Sequence, residues 1–191
     1  MKARWIAISA IAVALAVLNP LAAQAAALVQ DPDDVGPLMS IDIKSARVEI
    51  ASIPGEGMYA FNVESYEPFG PEALQWSGGA RQSLAFVIDY PSTPNTPKGD
   101  LRIRVRYNDT YGYYEWSARD VLTKQVVIPT NGEGAFRPSD TVLTVLVKIE
   151  QYSDTQGEVP FRWKAVYSRK VGPGQVEVDS APNQGWAEFT R

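Results

Sequence analysis

The 191-residue chain contains no cysteine and no histidine, and these absences exclude several classes of protein. Without cysteine it can form no disulfide, and no Cys-His catalytic pair is available. Without histidine it lacks the Ser-His-Asp triad, histidine-ligated zinc and the usual proton shuttle at neutral pH. Any catalysis would therefore depend on carboxylates, lysine, tyrosine or a serine–lysine pair.

Long apolar runs are scarce, and the one that stands out lies near the N-terminus, at residues 5–18. Lys2 and Arg4 precede it, and an Ala-rich segment with A-x-A patterns ending at Ala25 or Ala27 follows it. This arrangement predicts a cleaved signal peptide over residues 1–27 and a secreted, extracellular protein. An uncleaved anchor is the alternative, but a membrane span needs about 20 apolar residues. We therefore expect no membrane span after cleavage.

The remaining chain, residues 28–191, is mildly acidic and has the size of one domain. Removing Lys2 and Arg4 from the 18 basic residues leaves 16 against 22 acidic residues, a net charge of −6. Proteins that bind nucleic acid or anionic membranes usually present an excess of basic residues. The charge balance therefore argues against a nucleic-acid partner. The sequence does not determine the oligomeric state.

Apolar residues alternate along much of this domain, with the period of two that is typical of half-buried antiparallel strands. The predicted strands are 41–50, 57–66, 81–90, 101–107, 113–120, 122–129, 141–151 and 160–170. Turn-forming residues separate them, with a hairpin predicted at 108–112 and longer connections at 67–80 and 130–140. This pattern predicts an all-β fold, an antiparallel two-sheet β-sandwich of the jelly-roll-like kind.

An acidic segment, DPDDVGP, precedes the first of these strands and suggests a structural calcium site. Calcium takes about six to eight oxygen ligands, and close carboxylates repel each other unless a cation or hydrogen bonds offset their charge. If the first and last strands lie side by side, Asp179 joins the acidic segment, with Asn183 nearby. The predicted ligands are Asp31, Asp33, Asp34 and Asp179. The alternative is a solvated turn that these aspartates cap, and the spacing does not match an EF-hand loop.

Aromatic residues crowd the predicted hairpin that contains YNDTYGYYEW. Exposed aromatic rings can stack on sugar rings or bases, so the hairpin is a candidate binding platform. The alternative is packing between strands, which also favours aromatic residues. Alternation places Tyr114 and Trp116 on one face and Tyr113 on the other, so at least one set belongs to the core.

Arg102, Arg104 and Arg106 share one face of the strand LRIRVRY, opposite Leu101, Ile103 and Val105. Guanidinium groups in a row could hold a sulfated or acidic polymer. The alternative is a solvated face with acidic partners across the sheet.

Hydrolysis of a glycosidic bond needs two carboxyl groups a few ångströms apart. The spacing in the sequence selects no such pair from the candidates Glu64, Glu67, Glu115, Asp120 and Asp154.

Four segments, DPDDVGPLMSIDIKSARVE, RPSDTVLTVLV, FRWKAVYS and VDSAPNQGW, resemble short secreted proteins of actinobacterial type that are uncharacterised. Those proteins open with D-P-D-D-x-x-G-x-L-D-I and end with a Trp-bearing strand followed by D-x-A-P-x-x-G. This chain departs from them by inserting Met39 and Ser40 and by lacking the cysteines that some members carry near the end.

More remotely, the acidic opening is similar to carbohydrate-binding sandwich modules, several of which hold calcium near their termini. That resemblance implies the same four aspartates as ligands and no catalytic residue.

The expected function is that of a secreted, non-enzymatic binding module for cell-surface or extracellular carbohydrate, with a structural calcium. Tyr111, Tyr113 and Trp116 are expected to stack on the sugar, with Arg102, Arg104 and Arg106 as polar partners. One alternative is a structural or protein–protein interaction domain of the cell envelope, which an apolar patch or an open edge strand would favour. The other is a carboxylate-based hydrolase, which two facing carboxylates in a cleft would favour.

Overall fold

The computed structural model describes residues 26–33, 40–53, 56–75, 82–90, 99–131, 134–148 and 160–190. Asp34, Asp154 and most of the predicted signal peptide lie outside these ranges. Within them, a single turn of 3-10 helix at Pro71–Leu74 interrupts an otherwise β structure and falls in the predicted long connection. No helix among the described residues is long and apolar enough to cross a membrane.

Twelve strands form two antiparallel sheets in the described residues. They are β1 (Ala26–Gln30), β2 (Ile43–Ile53), β3 (Glu56–Ser65), β4 (Gln82–Asp89), β5 (Leu101–Asn108), β6 (Tyr113–Asp120), β7 (Val126–Asn131), β8 (Ala135–Phe136), β9 (Val142–Lys148), β10 (Phe161–Gly172), β11 (Gln175–Ala181) and β12 (Ala187–Phe189). The first sheet has the order β1-β2-β3-β9-β8. The second has the order β11-β10-β4-β5-β6-β7, and β12 pairs with β10.

The two sheets pack face to face around one apolar core, which confirms the predicted all-β, two-sheet sandwich. Phe61 of the first sheet meets Phe86 of the second, with ring centroids 5.0 Å apart. Trp163 and Tyr167 on β10 are fully buried between the sheets. Each large side chain buried in this way stabilises the fold by about 1.5–3 kcal/mol. The alternation predicted along the strands therefore decides which side chains form the core.

The first strand, β1, was not predicted, and it begins inside the predicted signal peptide. Ala26 and Ala27 pair with Glu49 and Val48 of β2. Of the two predicted cleavage sites, the one after Ala25 leaves this strand complete.

The first and last described strands lie close to each other, although β1 belongs to the first sheet and β12 to the second. A hydrogen bond also links the two sheets. The backbone N–H of Ile43 on β2 donates to Asp179 Oδ2 on β11 at 2.6 Å. This bond connects the two sheets at one side of the sandwich.

The predicted hairpin between β5 and β6 is confirmed, and it sets the register of the two strands. Asn108 Oδ1 accepts hydrogen bonds from the backbone N–H groups of Thr110 and Tyr111, at 3.1 and 3.3 Å. Gly112 adopts a φ of +74°, a conformation that glycine enters without steric cost. The Gly112 N–H donates to the Asn108 carbonyl at 2.8 Å and closes the turn.

The segment predicted as a strand over 122–129 begins later, with β7 at Val126. The Asp120 carboxylate accepts a hydrogen bond from the Thr123 N–H at 2.6 Å, which holds residues 121–123 in a turn. Lys124 then takes a positive φ of 64° before the strand starts.

Candidate ligand-binding face

The outward surface of β5 and β6 carries a concentration of arginine residues. Because side chains alternate along a strand, the residues opposite the buried Leu101, Ile103 and Val105 point away from the core. The β5–β6 register adds Arg119 of β6 to this surface. We name the set Arg102, Arg104, Arg106 and Arg119 the arginine face.

Register places like charges opposite each other on the arginine face. Arg102 lies directly opposite Arg119, and Arg104 lies opposite Ser117. On the other side of β5, the cross-strand neighbours of Arg102 and Arg104 are Val87 and Ala85. Like charges that face each other across two strands destabilise a sheet. The neighbouring strands therefore leave positive charge concentrated at this point.

Arg106 lies opposite Glu115, an acidic cross-strand partner of the kind that a solvated face was expected to provide. It forms an ion pair with Glu115, whose other oxygen accepts a hydrogen bond from Asn108 Nδ2 at 2.9 Å. Arg102 and Arg119 form no ion pair with any residue that the structure describes.

Burial acts on the guanidinium groups of Arg102 and Arg104, and the neighbouring arginines also act on Arg104. Burial lowers the pKa of Arg102 and of Arg104. For Arg104, burial is the largest cause of the lowered pKa. The positive charges of Arg102, Arg119 and Arg106 lower it further, with effects that decrease in that order. Arginine stays charged at any physiological pH, so loss of a proton does not relieve the repulsion between these side chains. The arginine face is thus a site where an anion would be stabilised.

A pocket of ≈ 190 Å³ opens on the arginine face. Its lining comes from Arg102, Arg104 and Arg106 of β5, Trp116, Ser117 and Arg119 of β6, and Thr130 of β7. The pocket thus joins guanidinium groups from two strands to the neighbouring residues Ser117 and Thr130.

Tyr111 and Tyr113 form an exposed aromatic pair at the hairpin end of the same surface. Their rings are stacked, with centroids 5.8 Å apart and planes 12° apart. Tyr111 is 70% exposed and Tyr113 41% exposed. Tyr113 lies opposite Asn108, so it belongs to the same side of the sheet as the arginines. From Tyr113 to Arg119 the strand runs about 20 Å, at roughly 3.3 Å per residue.

Trp116 is not available for the stacking role expected of it. It lies opposite Val105, points into the core and is 3% exposed. Tyr114 is on the same inward side, where its ring meets that of Tyr107 edge to face at 5.1 Å. The alternation in the sequence predicts that Tyr114 and Trp116 share one side of the sheet. That side faces inward because the first sheet covers it.

Sequence reasoning missed Arg119 and Trp186 on this surface. Arg119 could have been found by extending the β5–β6 pairing from the predicted hairpin. Trp186 offered no such signal, because it lies in an irregular segment after β11. Its ring lies 4.7 Å from Lys164 Nζ and 5.8 Å from the guanidinium carbon of Arg162. These contacts extend the cationic surface from β5 and β6 to β10.

Two of the predicted calcium ligands, Asp31 and Asp179, lie close to one end of β2. The Asp31 N–H donates to the Lys44 carbonyl at 2.9 Å, and the Asp31 carbonyl accepts from the Tyr66 hydroxyl at 2.7 Å. Asp31 and Asp179 are each 3% exposed, so the solvated-turn alternative does not describe Asp31. Asp33 is exposed. No group of three or more acidic side chains in the described ranges is placed to hold a metal ion, and Asp34 lies outside those ranges.

Three of the five candidate carboxylates for hydrolysis make structural contacts. Glu64 accepts from Lys44 Nζ at 2.7 Å and from Ser45 Oγ at 3.2 Å, and the Lys44 bond lowers the pKa of Glu64. The backbone N–H of Thr123 lowers the pKa of Asp120. Glu115 is held by Arg106, as described above, and Glu67 is exposed. Three of these carboxylates therefore have structural roles as hydrogen-bond acceptors or ion-pair partners within the fold.

No protein-family model matches this chain, and no curated protein or solved structure matches it. The fold and the arginine face define the protein as a β-sandwich with a cationic, aromatic-flanked surface on its second sheet.

Proposed function

We propose that this protein is a secreted, non-enzymatic binding module that holds an extracellular carbohydrate on the outward surface of β5 and β6. The observation that carries the proposal is the stacked, exposed pair of Tyr111 and Tyr113 beside the arginine face. Aromatic rings bury the apolar faces of sugars and lose little side-chain entropy, because tyrosine has two side-chain torsions.

The arginine face suits the polar edges of a sugar chain. Each guanidinium presents five N–H donors in a fixed planar arrangement. A chain that contacts Tyr113 and continues along the strand reaches Arg106, Ser117 and Arg119 over about 20 Å. The surface therefore has the length to contact several consecutive sugar units.

Affinity electrophoresis through gels that contain single soluble polysaccharides tests this function. We expect at least one polysaccharide to retard the protein, and Tyr111→Ala or Tyr113→Ala to weaken the retardation roughly threefold to tenfold. Leu28→Ala is the control, because it removes an exposed apolar side chain from the first sheet. Lack of retardation in every gel, or retardation that both tyrosine variants leave unchanged, would contradict the proposal.

A second candidate function is protein interaction through β11. In the described part of the chain this strand pairs on one side only, with β10, and Val176 and Val178 are 59% and 58% exposed. An edge strand with exposed β-branched residues is a template for pairing with another chain. Light scattering at increasing protein concentration tests self-association. We expect Val178→Lys to abolish any association that uses this edge.

A further inference from the structure

Two of the arginines at the pocket on the arginine face, Arg102 and Arg119, form no ion pair with the residues that the structure describes. The full chain carries a net charge of −4, yet four arginines meet around one pocket of ≈ 190 Å³. Glu115 accompanies Arg106, and Asp89 on β4 accepts from Arg162 Nε at 2.8 Å. These two carboxylates are engaged with arginines at the margins, whereas Arg102 and Arg119 face each other at the centre.

The arrangement of donors favours a group with several oxygens pointing in different directions. Arg102 and Arg104 approach from β5 and Arg119 from β6, and Ser117 and Thr130 add hydroxyl groups at the lining. A carboxylate presents two oxygens in one plane and can be held by a single guanidinium fork. A sulfate or phosphate ester presents three terminal oxygens arranged tetrahedrally, so guanidinium groups from two strands can bind it together.

We propose that this pocket is a subsite for a sulfate or phosphate ester carried by the bound polysaccharide. This inference rests on the proposed carbohydrate-binding function and names its ligand class as an esterified, polyanionic polymer. The sugar backbone would follow β5 and β6 past Tyr113, with one ester group per site entering between Arg102, Arg104 and Arg119. Binding would offset the repulsion between Arg102 and Arg119 that the register imposes.

The test compares the binding of the exported protein to three polymers, which are dextran sulfate, uncharged dextran and the carboxylated polymer polygalacturonate. Affinity electrophoresis measures how strongly each polymer retards the wild-type protein and the variants Arg102→Gln and Arg119→Gln. Arg47→Gln is the matched control, because Arg47 is an exposed arginine on β2 in the first sheet. In parallel, thermal unfolding with inorganic sulfate and with inorganic phosphate measures occupation of the pocket without a polymer.

We expect dextran sulfate to be bound more tightly than polygalacturonate, and each pocket variant to weaken it roughly tenfold, which is the effect of one charge-assisted hydrogen bond. Arg47→Gln should change retention less than twofold. Sulfate and phosphate should raise the unfolding midpoint of the wild type more than those of the pocket variants.

Other outcomes separate this inference from the proposed function. Retention of dextran that depends on Tyr111 and is insensitive to the arginine variants would overturn the ester subsite and leave carbohydrate binding in place. Equal binding of sulfated and carboxylated polymers, with equal losses in the variants, would also overturn the ester subsite. Stabilisation by inorganic sulfate with no polymer retained would overturn the carbohydrate function and support the oxyanion chemistry of the pocket alone.

Discussion

Arg102 and Arg119 occupy directly opposite positions on β5 and β6, where opposite charges would stabilise the pair. Arg104 adds a third charge beside them, and burial reduces the solvent available to screen the charges of Arg102 and Arg104. At the scale of single residues, this arrangement concentrates positive charge and lowers the stability of the sheet. The effect of this repulsion on the stability of the protein can therefore be measured without any ligand.

Arg119→Glu should stabilise the protein, because it converts the repulsive pair with Arg102 into an attractive one. The expected gain in the free energy of unfolding is about 0.2–1 kcal/mol. Urea denaturation measures it. Arg47→Glu is the contrasting variant, because Arg47 Nη2 lies 3.2 Å from Glu49 Oε1 and the change should destabilise. A loss of stability in Arg119→Glu would contradict the repulsion.

Tyr167 gives a pH dependence at the residue scale. Its hydroxyl lies 3.1 Å from the Ala73 carbonyl and 2.6 Å from Gln82 Oε1, and burial raises the pKa of Tyr167 to about 12 from 10.0. Above pH 10 the unfolded chain loses this proton while the folded chain keeps it. The free energy of unfolding should therefore fall as pH rises from about 10 to 12, by about 1.4 kcal/mol per pH unit.

Tyr167→Phe removes this titration and serves as the comparison. Urea denaturation between pH 9 and 12 should show a shallower loss of stability in the variant than in the wild type, since the other tyrosines are common to both proteins. Identical slopes would show that Tyr167 does not hold its proton in the folded state.

At the scale of elements, β2 and β11 belong to different sheets and are joined by one buried, charge-assisted hydrogen bond. Asp179 Oδ2 accepts from the Ile43 N–H at 2.6 Å, and the two residues are 136 positions apart in the chain. The bond satisfies a backbone donor at the start of β2 and holds the C-terminal hairpin against the first sheet.

Asp179→Ala should therefore destabilise the protein by about 1.5–3 kcal/mol, because it leaves the Ile43 N–H without its acceptor. Asp179→Asn is the matched control, since its amide oxygen can still accept this bond. Denaturant titration of both variants measures the difference. Equal stability of the alanine and asparagine variants would show that the bond does not hold the two sheets together.

At the scale of the whole molecule, the predicted calcium site would tie both ends of the chain to β2. Asp31 contacts Lys44, and Asp179 contacts the preceding residue, Ile43. A ligand that binds only the folded state stabilises it by about 2.7 kcal/mol at a hundredfold excess over its Kd. For a domain of this size that corresponds to a rise of roughly 5–10 °C in Tm.

We expect calcium to raise Tm relative to a chelator, and Asp33→Ala to abolish the rise without loss of buried contacts, because Asp33 is exposed. Asp140→Ala, which removes another exposed carboxylate, should leave the calcium effect intact. A Tm that calcium does not change in the wild type would dismiss the metal site and leave the buried Asp31 as a structural residue.

Predictability differed among elements for physical reasons. Most of the long strands carry a clear alternation, and Asn108 with Gly112 carries the chemistry of the β5–β6 turn, so these elements were predicted. The seven-residue strand β11 was not predicted. The short strands β1, β8 and β12 have five, two and three residues, too few to establish a period. Trp116 shows a different limit, because alternation defined its side of the strand without saying which side the first sheet would cover.

The sequence by itself determined the all-β class, the inward residues of the long strands and the row of three arginines on β5. Those features depend on periodicity along the chain, which is local. The tertiary structure decided that Arg119 lies opposite Arg102, that Trp116 is buried, and that Asp31 and Asp179 meet consecutive residues of β2. These depend on register between strands and on contacts between residues far apart in sequence, which local patterns do not specify.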